Sequence, residues 1–289
     1  MHGTVDGFSY GLVTPLVAFL MACLGGALGL RCTTRALLVA HSWRPGWLAL
    51  ASAAIGSGIW TCHFVAMMGF TVREAPIHYD KPMTYASLAV AILMVGVGVF
   101  MVGYRGATGS ALFTGGTITG LGVASMHYMG MAGMRLDGSF VYNTFTVTAS
   151  VVIAVVAATA ALWAAGRVRG VLWSVGASLV MGLAVCGMHY MGMAALSVHL
   201  HTMDGAPTVG DSPAALLAPM LVGPLAFLLL AGVVVLFDPL VVTGSPDWTP
   251  AEHKPGIPAR ELVPQPARHP AARIRRSPVP RGSRTPQNR

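Results

Sequence analysis

The sequence predicts an all-α, polytopic membrane protein of seven transmembrane helices, N-terminus outside and C-terminus inside, with a threefold helical-hairpin repeat. Three observations predict it. Of the 289 residues, 54% are hydrophobic and 10% charged, at a mean hydropathy of +0.66, whereas soluble domains carry about 25% charge. The charged residues cluster between long uncharged runs, and a histidine/methionine motif recurs three times at the spacing of a helical hairpin. This composition excludes a soluble globular domain. It also excludes a chain disordered throughout, which needs low hydrophobicity and high net charge.

A membrane-spanning helix takes about 20 mostly apolar residues, and such runs cover 10–30, 46–70, 84–104, 110–134, 145–165, 171–196 and 214–237. The breaks hold the charges. Arg31, Arg35 and Arg44 follow the first run, Arg73, Glu74, Asp80 and Lys81 the second, and Arg105 the third. Arg135 and Asp137, then Arg167 and Arg169, then Asp204 and Asp211 follow the next three. Pro219 and Pro224 lie inside the last run, where they would kink a helix. The first ten residues, MHGTVDGFSY, lack the basic segment that opens a signal peptide, so the first run is expected to remain as an anchor.

Basic residues set the orientation. The breaks after the first, third and fifth runs hold six Arg and the C-terminal tail nine more Lys/Arg, against three after the second, fourth and sixth. Because cytoplasmic loops are enriched in Lys and Arg, the tail is expected inside. Six of the ten acidic residues, Asp6 among them, fall on the other side, as this orientation predicts. The net charge of +8 therefore belongs mostly to the tail and is no sign of a nucleic-acid partner. The chain divides into a seven-helix membrane domain, 8–237, and a basic Pro/Arg-rich tail, 238–289, expected to be cytoplasmic and disordered. The tail's arginines suit anionic headgroups of the bilayer. Cys23, Cys32, Cys62 and Cys186 show no CxxC spacing and no disulfide framework.

The repeat is the strongest signal. It reads GIWTCHFVAMMGF at 58–70, GVASMHYMGMAGM at 122–134 and CGMHYMGMAAL at 186–196. His63, His127 and His189 each stand seven residues before the end of an apolar run, so all three should lie about 10 Å inside the outer helix end. Four residues on, about 40° round the helix, come Met67, Met131 and Met193 on the same face. The intervening i+3 position is small each time, Ala66, Gly130 or Gly192, which lets helices approach closely and turns this face into the bundle. Met126, Met129, Met188 and Met191 lie on an adjoining face, and Cys186 returns close to His189.

Ionisable residues inside a membrane face the interior and mark functional sites. Imidazole suits Zn, Cu, Fe and Ni, while thioether and thiolate suit Cu(I), so a His/Met/Cys set without a nearby carboxylate points to copper. The plainer reading is interhelical: one buried histidine can bond a backbone carbonyl, and methionine is an adaptable core filler. Three copies at one depth favour a shared site.

The motif resembles the MHYT-domain family of bacterial integral membrane sensors, named for a Met-His-Tyr-Thr sequence repeated along seven helices. The resemblance covers about residues 8–237. It implies a protein of the bacterial cytoplasmic membrane with a copper site near the outer face, sensing a diatomic gas (oxygen, carbon monoxide or nitric oxide) or redox state. Carried onto this chain, it implies metal ligands Met126, His127 and Met131, then Met188, His189 and Met193, then His63 and Met67. Cys62, Cys186, Tyr128 and Tyr190 stand beside them as second-shell groups or further ligands; whether the tyrosines ligate, hydrogen-bond the imidazoles or only pack stays open. Three departures matter. Cys62 stands where the family has Met, Met129 and Met191 replace the motif's Thr, and the cyclic-di-GMP-metabolising domains often joined to the family are not read in this chain. The output is then expected through a partner protein or the tail, and no catalytic residue is assigned.

Competing functions leave different traces. A copper or small-solute permeation pathway would continue ligands across the membrane, yet the inner halves offer chiefly Cys23 and Met94. A haem or oxidoreductive enzyme could use paired histidines but finds no acid/base carboxylate pair, and a retinal receptor would need a Lys that the seventh run lacks. In the outer loops His78, Tyr79, His199 and His201 could guide metal inward. Gly25/Gly29 and Gly116/Gly120 allow close helix contact, within or between protomers.

Overall fold

Each of the seven apolar runs forms one α-helix in a computed structural model, which describes residues 3–72, 74–167, 171–200 and 212–238. The helices are α1 (Val13–Leu38), α2 (Arg44–Met68), α3 (Lys81–Arg105), α4 (Gly109–Ala132), α5 (Thr144–Arg167), α6 (Val171–Ala194) and α7 (Pro213–Leu236). A helix satisfies its own backbone, which is what hydrocarbon requires. Six of the seven are long and apolar enough to cross a membrane. The exception is α4, where Gly, Ser and Thr fill eleven of 24 positions. Those small residues buy close packing: a Cβ at Gly120 would overlap Val155 of α5, and Gly116 lies against Thr159 of the same helix.

The first helix corrects its expected boundary. It runs on to Leu38, through Arg31 and Arg35, rather than stopping at residue 30. Arg35 Nε lies 3.1 Å from Asp238 Oδ2 just beyond α7, and Arg44 Nε donates to the carbonyl of Ala36 at 3.1 Å. The Arg35 charge is thus compensated within the helix, and Arg44 ties the start of α2 to the last turns of α1. Elsewhere local signals behave as their chemistry dictates. Asp80 caps α3 by accepting from the Met83 amide, Ser212 caps α7 through the Ala215 amide, and Gly106 ends α3 at a φ of 86° that only glycine adopts freely.

Six short strands, absent from the expectations above, give the repeat its true unit. β1 (Val5–Asp6) pairs with β2 (Thr71–Val72), β3 (His78–Tyr79) with β4 (Met134–Arg135), and β5 (Gly138–Tyr142) with β6 (Leu196–Leu200), all antiparallel. In each case the strand before an odd helix pairs with the strand after the next even helix, so the fold is three β-α-α-β units followed by α7. The same backbone bond closes each unit: Ser9 donates to the carbonyl of Gly69, Asp80 to Gly133 and Asn143 to Ala195. These acceptors stand six residues after His63, His127 and His189. The strands are two to five residues long, too short for an alternating pattern to show.

Around the bundle α1 to α6 pack each on its sequence neighbours, α6 closes back on α1, and α7 lies against α2 and α1. The glycine spacings serve contacts inside the chain. Gly25 of α1 meets Gly58 of α2 backbone to backbone, a Cβ there standing 2.7 Å from the Gly58 Cα. Because α7 covers it on one side and α1 on another, α2 is buried nearly all round. His201, Asp204, Asp211 and the tail beyond Asp238 lie outside the described residues.

Candidate metal centre

Even helices α2, α4 and α6 bring the three motif histidines together at the strand-capped end. Each histidine stands five residues before the end of its helix, about 7.5 Å along the axis; the helices end slightly sooner than the apolar runs, which brings the imidazoles nearer that end than expected. His63, His127 and His189 are 2%, 0% and 3% exposed. His63 Nδ1 lies 3.0 Å from His189 Nδ1 and 3.1 Å from His127 Nδ1. Ring centroids are 4.8 to 5.1 Å apart with planes steeply crossed, a three-bladed propeller. Each imidazole meets the aromatic ring that follows it edge-on, Phe64, Tyr128 or Tyr190.

Why the rings face this way follows from the small i+3 residues. Gly130 of α4 lies against His63 Nε2, and Gly192 of α6 lies against His127 Nε2; a Cβ at either position would collide with the ring. Both Nε2 atoms are buried without a hydrogen-bond partner among the described residues. The corresponding position in α2 is Ala66, and there the pattern changes: His189 and Ala66 line a cavity of about 280 Å³ together with Phe8, Phe70, Tyr190 and Met193. Phe8 stacks on Tyr190 at 5.6 Å, and the Tyr190 hydroxyl has no partner among the described residues. Sequence reasoning missed Phe8, which lies outside the motif and reaches the site beside β1, and did not single out Phe70, the last residue of the first motif copy.

Other anticipated residues are distributed around this centre. Met67, Met126, Met131 and Met188 are buried. Met188 lines an apolar cavity on the far side of the histidines, among Val123, Val185 and Leu162. Tyr128 is engaged elsewhere, its hydroxyl 2.7 Å from Ser150 Oγ of α5. Cys62 and Cys186 meet each other, Sγ to Sγ at 3.8 Å. His78 and His199 are held in β3 and β6 at the capped end. Beside His78, burial pushes the Tyr79 hydroxyl above its usual range.

The three imidazoles form a group able to hold a metal ion, with all three ligand atoms within 4.8 Å of one another. A ring nitrogen offers one in-plane position, either a lone pair or an N–H. His63 Nδ1 nevertheless faces two other Nδ1 atoms at bonding distance. Hydrogen bonds alone satisfy one of these contacts; a cation between the three nitrogens satisfies all. The residues present therefore fit a metal.

A buried tris-histidine group at one end of an apolar helical bundle defines a multi-pass membrane protein with a potential metal centre. The chain belongs to the MHYT family, described as a bacterial signalling protein N-terminal repeat, whose model matches residues 56–115, 120–178 and 182–242. Among its relatives, the bifunctional diguanylate cyclase/cyclic di-GMP phosphodiesterase MucR of Pseudomonas aeruginosa is 34% identical over 235 residues, 80% of this chain and 34% of that protein. The cyclic di-GMP phosphodiesterase NbdA of the same organism is 35% identical over 207 residues, covering 66% of this chain and 26% of NbdA. The signaling protein YkoW of Bacillus subtilis is 28% identical over 198 residues, 66% of this chain and 24% of YkoW. The chain thus spans about a third or less of these relatives. No solved structure matches it.

Proposed function

We propose that this chain is a sensory membrane module whose His63, His127 and His189 hold copper, with methionines of the same motifs completing the ligand set. The oversubscribed His63 Nδ1, 3.0 and 3.1 Å from its two counterparts, is the observation that carries the reading. Thioethers at Met67, Met126, Met131, Met188 and Met193, in the same motifs as the imidazoles, would favour a soft ion over zinc. Bound copper would supply a centre that takes up a small ligand or changes oxidation state.

The protein's own residues set the terms of that response. Gly130 and Gly192 fix the planes of two imidazoles, while His189 borders the cavity under Phe8. A diatomic gas reaching the centre would arrive on the His189 side, where the free Tyr190 hydroxyl can donate a hydrogen bond to it. Ligand binding shifts helix packing only insofar as it favours one of two arrangements. The arginine distribution puts the capped end outside a bacterial cytoplasmic membrane. The output would pass to a cytoplasmic or membrane partner, as the cyclic di-GMP enzymes among the relatives suggest. No catalytic role is assigned to the chain itself. The cavity beyond the histidines is lined mostly by aliphatic side chains, with Met181 and Met188 its soft donors, which supports a permeation pathway less than a fixed site.

Metal analysis of detergent- or nanodisc-held protein tests the reading. Copper near stoichiometric in wild type and lost in a His63/His127/His189 triple alanine variant of unchanged helicity is expected. Absence of bound metal from wild type after copper exposure would overturn it and leave three buried histidines as interhelical contacts.

A further inference from the structure

Beside the histidines a second group of soft donors assembles from residues far apart in the chain. Cys62 of α2 and Cys186 of α6 are 124 residues apart, and their sulfurs lie 3.8 Å from each other. Both are free thiols and buried, 1% and 9% exposed. They occupy different places in the repeat. Cys62 immediately precedes its histidine, where the other copies have Met126 and Met188; Cys186 precedes its histidine by three, where the others have Trp60 and Ala124. Of the three interfaces between motif helices, the α2/α6 one therefore receives two thiols.

A third thiol stands nearby. The Cys23 sulfur of α1 packs on the backbone of Gly182, one helical turn before Cys186, where a Cβ would come within 2.5 Å of it.

The separation distinguishes two kinds of chemistry. A disulfide bond is about 2.05 Å long, so forming one would require the sulfurs to close by more than about 1.5 Å in a tightly packed interior. Two sulfurs sharing one ion at bonds of about 2.3 Å, with angles between tetrahedral and trigonal, stand about 3.8–4.0 Å apart. The observed spacing, that of an S–H···S contact between the two thiols, also accommodates the shared ion without movement. Charge selects which ion. In a low-dielectric interior one monovalent cation with one thiolate and one neutral thiol is electrically neutral, whereas a divalent ion needs two thiolates and further donors. Thiolate ligands select Cu(I).

The geometry points to a distinct Cu(I) site formed by Cys62 and Cys186, with Cys23 as a third donor, next to the tris-histidine centre and separate from it. On binding, one thiol exchanges its S–H bond for a sulfur–copper bond and the proton passes to the aqueous buffer; no electron is transferred. The site stands whether or not the histidines bind metal.

The full chain in nanodiscs, reduced and titrated anaerobically with Cu(I) against a competing chelator, provides the test. Wild type is expected to bind about one more Cu(I) per chain than a Cys62→Ser/Cys186→Ser variant, and its X-ray absorption fine structure should show more sulfur scattering at about 2.3 Å than the variant's. Cys23→Ser alone should weaken this fraction roughly tenfold. The triple histidine variant, checked for helicity and monodispersity, should keep the thiol-bound ion, which separates this proposal from the histidine reading. Equal Cu(I) content in wild type and the serine variant would overturn it. So would loss of sulfur scattering in the folded histidine variant, which would make one shared centre, or mass spectrometric evidence that the two thiols are joined as a disulfide under the titration conditions.

Discussion

Gly192 of α6 seats the Nε2 edge of His127 against bare backbone, as Gly130 of α4 does for His63. The planes of two imidazoles are thus set by the absence of a side chain on the neighbouring helix. Gly192→Ala and Gly130→Ala should each force the adjacent ring aside, destabilising the bundle by about 1–3 kcal/mol and reducing copper retention. Thermal unfolding and metal content of the purified variants check this. Ala66→Gly, at the third position, should cost little and keep the metal.

The two motif tyrosines should separate by substitution. Tyr128→Phe breaks the hydroxyl contact with Ser150 and should cost about 1 kcal/mol. Tyr190→Phe removes a hydroxyl without a partner among the described residues and should leave the unfolding midpoint in place. Its effect should appear in the carbon monoxide or nitric oxide spectrum of copper-loaded protein, which the Tyr128 change should leave alone.

Phe8 lies over Tyr190 at the edge of the cavity that reaches His189. Phe8→Ala should speed removal of copper by a chelator several-fold while leaving the equilibrium metal content near wild type. Unchanged stopped-flow kinetics would count against this side as the route to the centre.

Asp238 holds Arg35 at the opposite end, with side-chain exposures of 6% and 16%. Removing one partner of a largely buried pair leaves a charge uncompensated, so Asp238→Ala should cost about 3 kcal/mol or more. Asp238→Ala with Arg35→Leu should recover much of that loss in the same unfolding assay.

Burial raises the Tyr79 hydroxyl above its unfolded value of about 10. A neutral group favoured by the fold contributes stability that is complete below the unfolded value and is lost as pH rises toward the folded one. Stability should therefore fall above about pH 10, and Tyr79→Phe should flatten that limb. Spectroscopic titration should show that Tyr79→Phe removes ionisation only above the ordinary tyrosine range.

Much of this architecture was legible because membranes impose a long, simple code. Apolar runs gave every helix, and the 64- and 62-residue spacings of His63, His127 and His189 put them on equivalent helices. Gly130 and Gly192 were legible as close-approach positions, though not as seats for a neighbouring imidazole. The end of α1 differs from the expected residue 30 because charge at Arg31 and Arg35 ends the apolar run but not the helix, and Arg35 finds its partner, Asp238, some two hundred residues on. The Cys62–Cys186 contact had no sequence signal: the residues fall at unequal repeat positions, and which positions meet depends on the hand and order of packing. The strands pair through backbone alone, which composition does not report.

The amide of Gly3 donates to the carbonyl of Val198, joining the chain's first ribbon to its last. The three ribbons are thereby tied into a hoop at one end of the bundle, and among the described residues no strand pairing ties the helix ends opposite. A hoop makes that end a common pivot. With the imidazoles about 7.5 Å from the pivot and the far helix ends about 36 Å from it, a small spreading or drawing-in at the histidines is magnified roughly fivefold at the feet of the bundle. Leverage of this kind would turn a change of a few tenths of an ångström in the buried centre into one of an ångström or more, about fivefold larger, at the far helix ends.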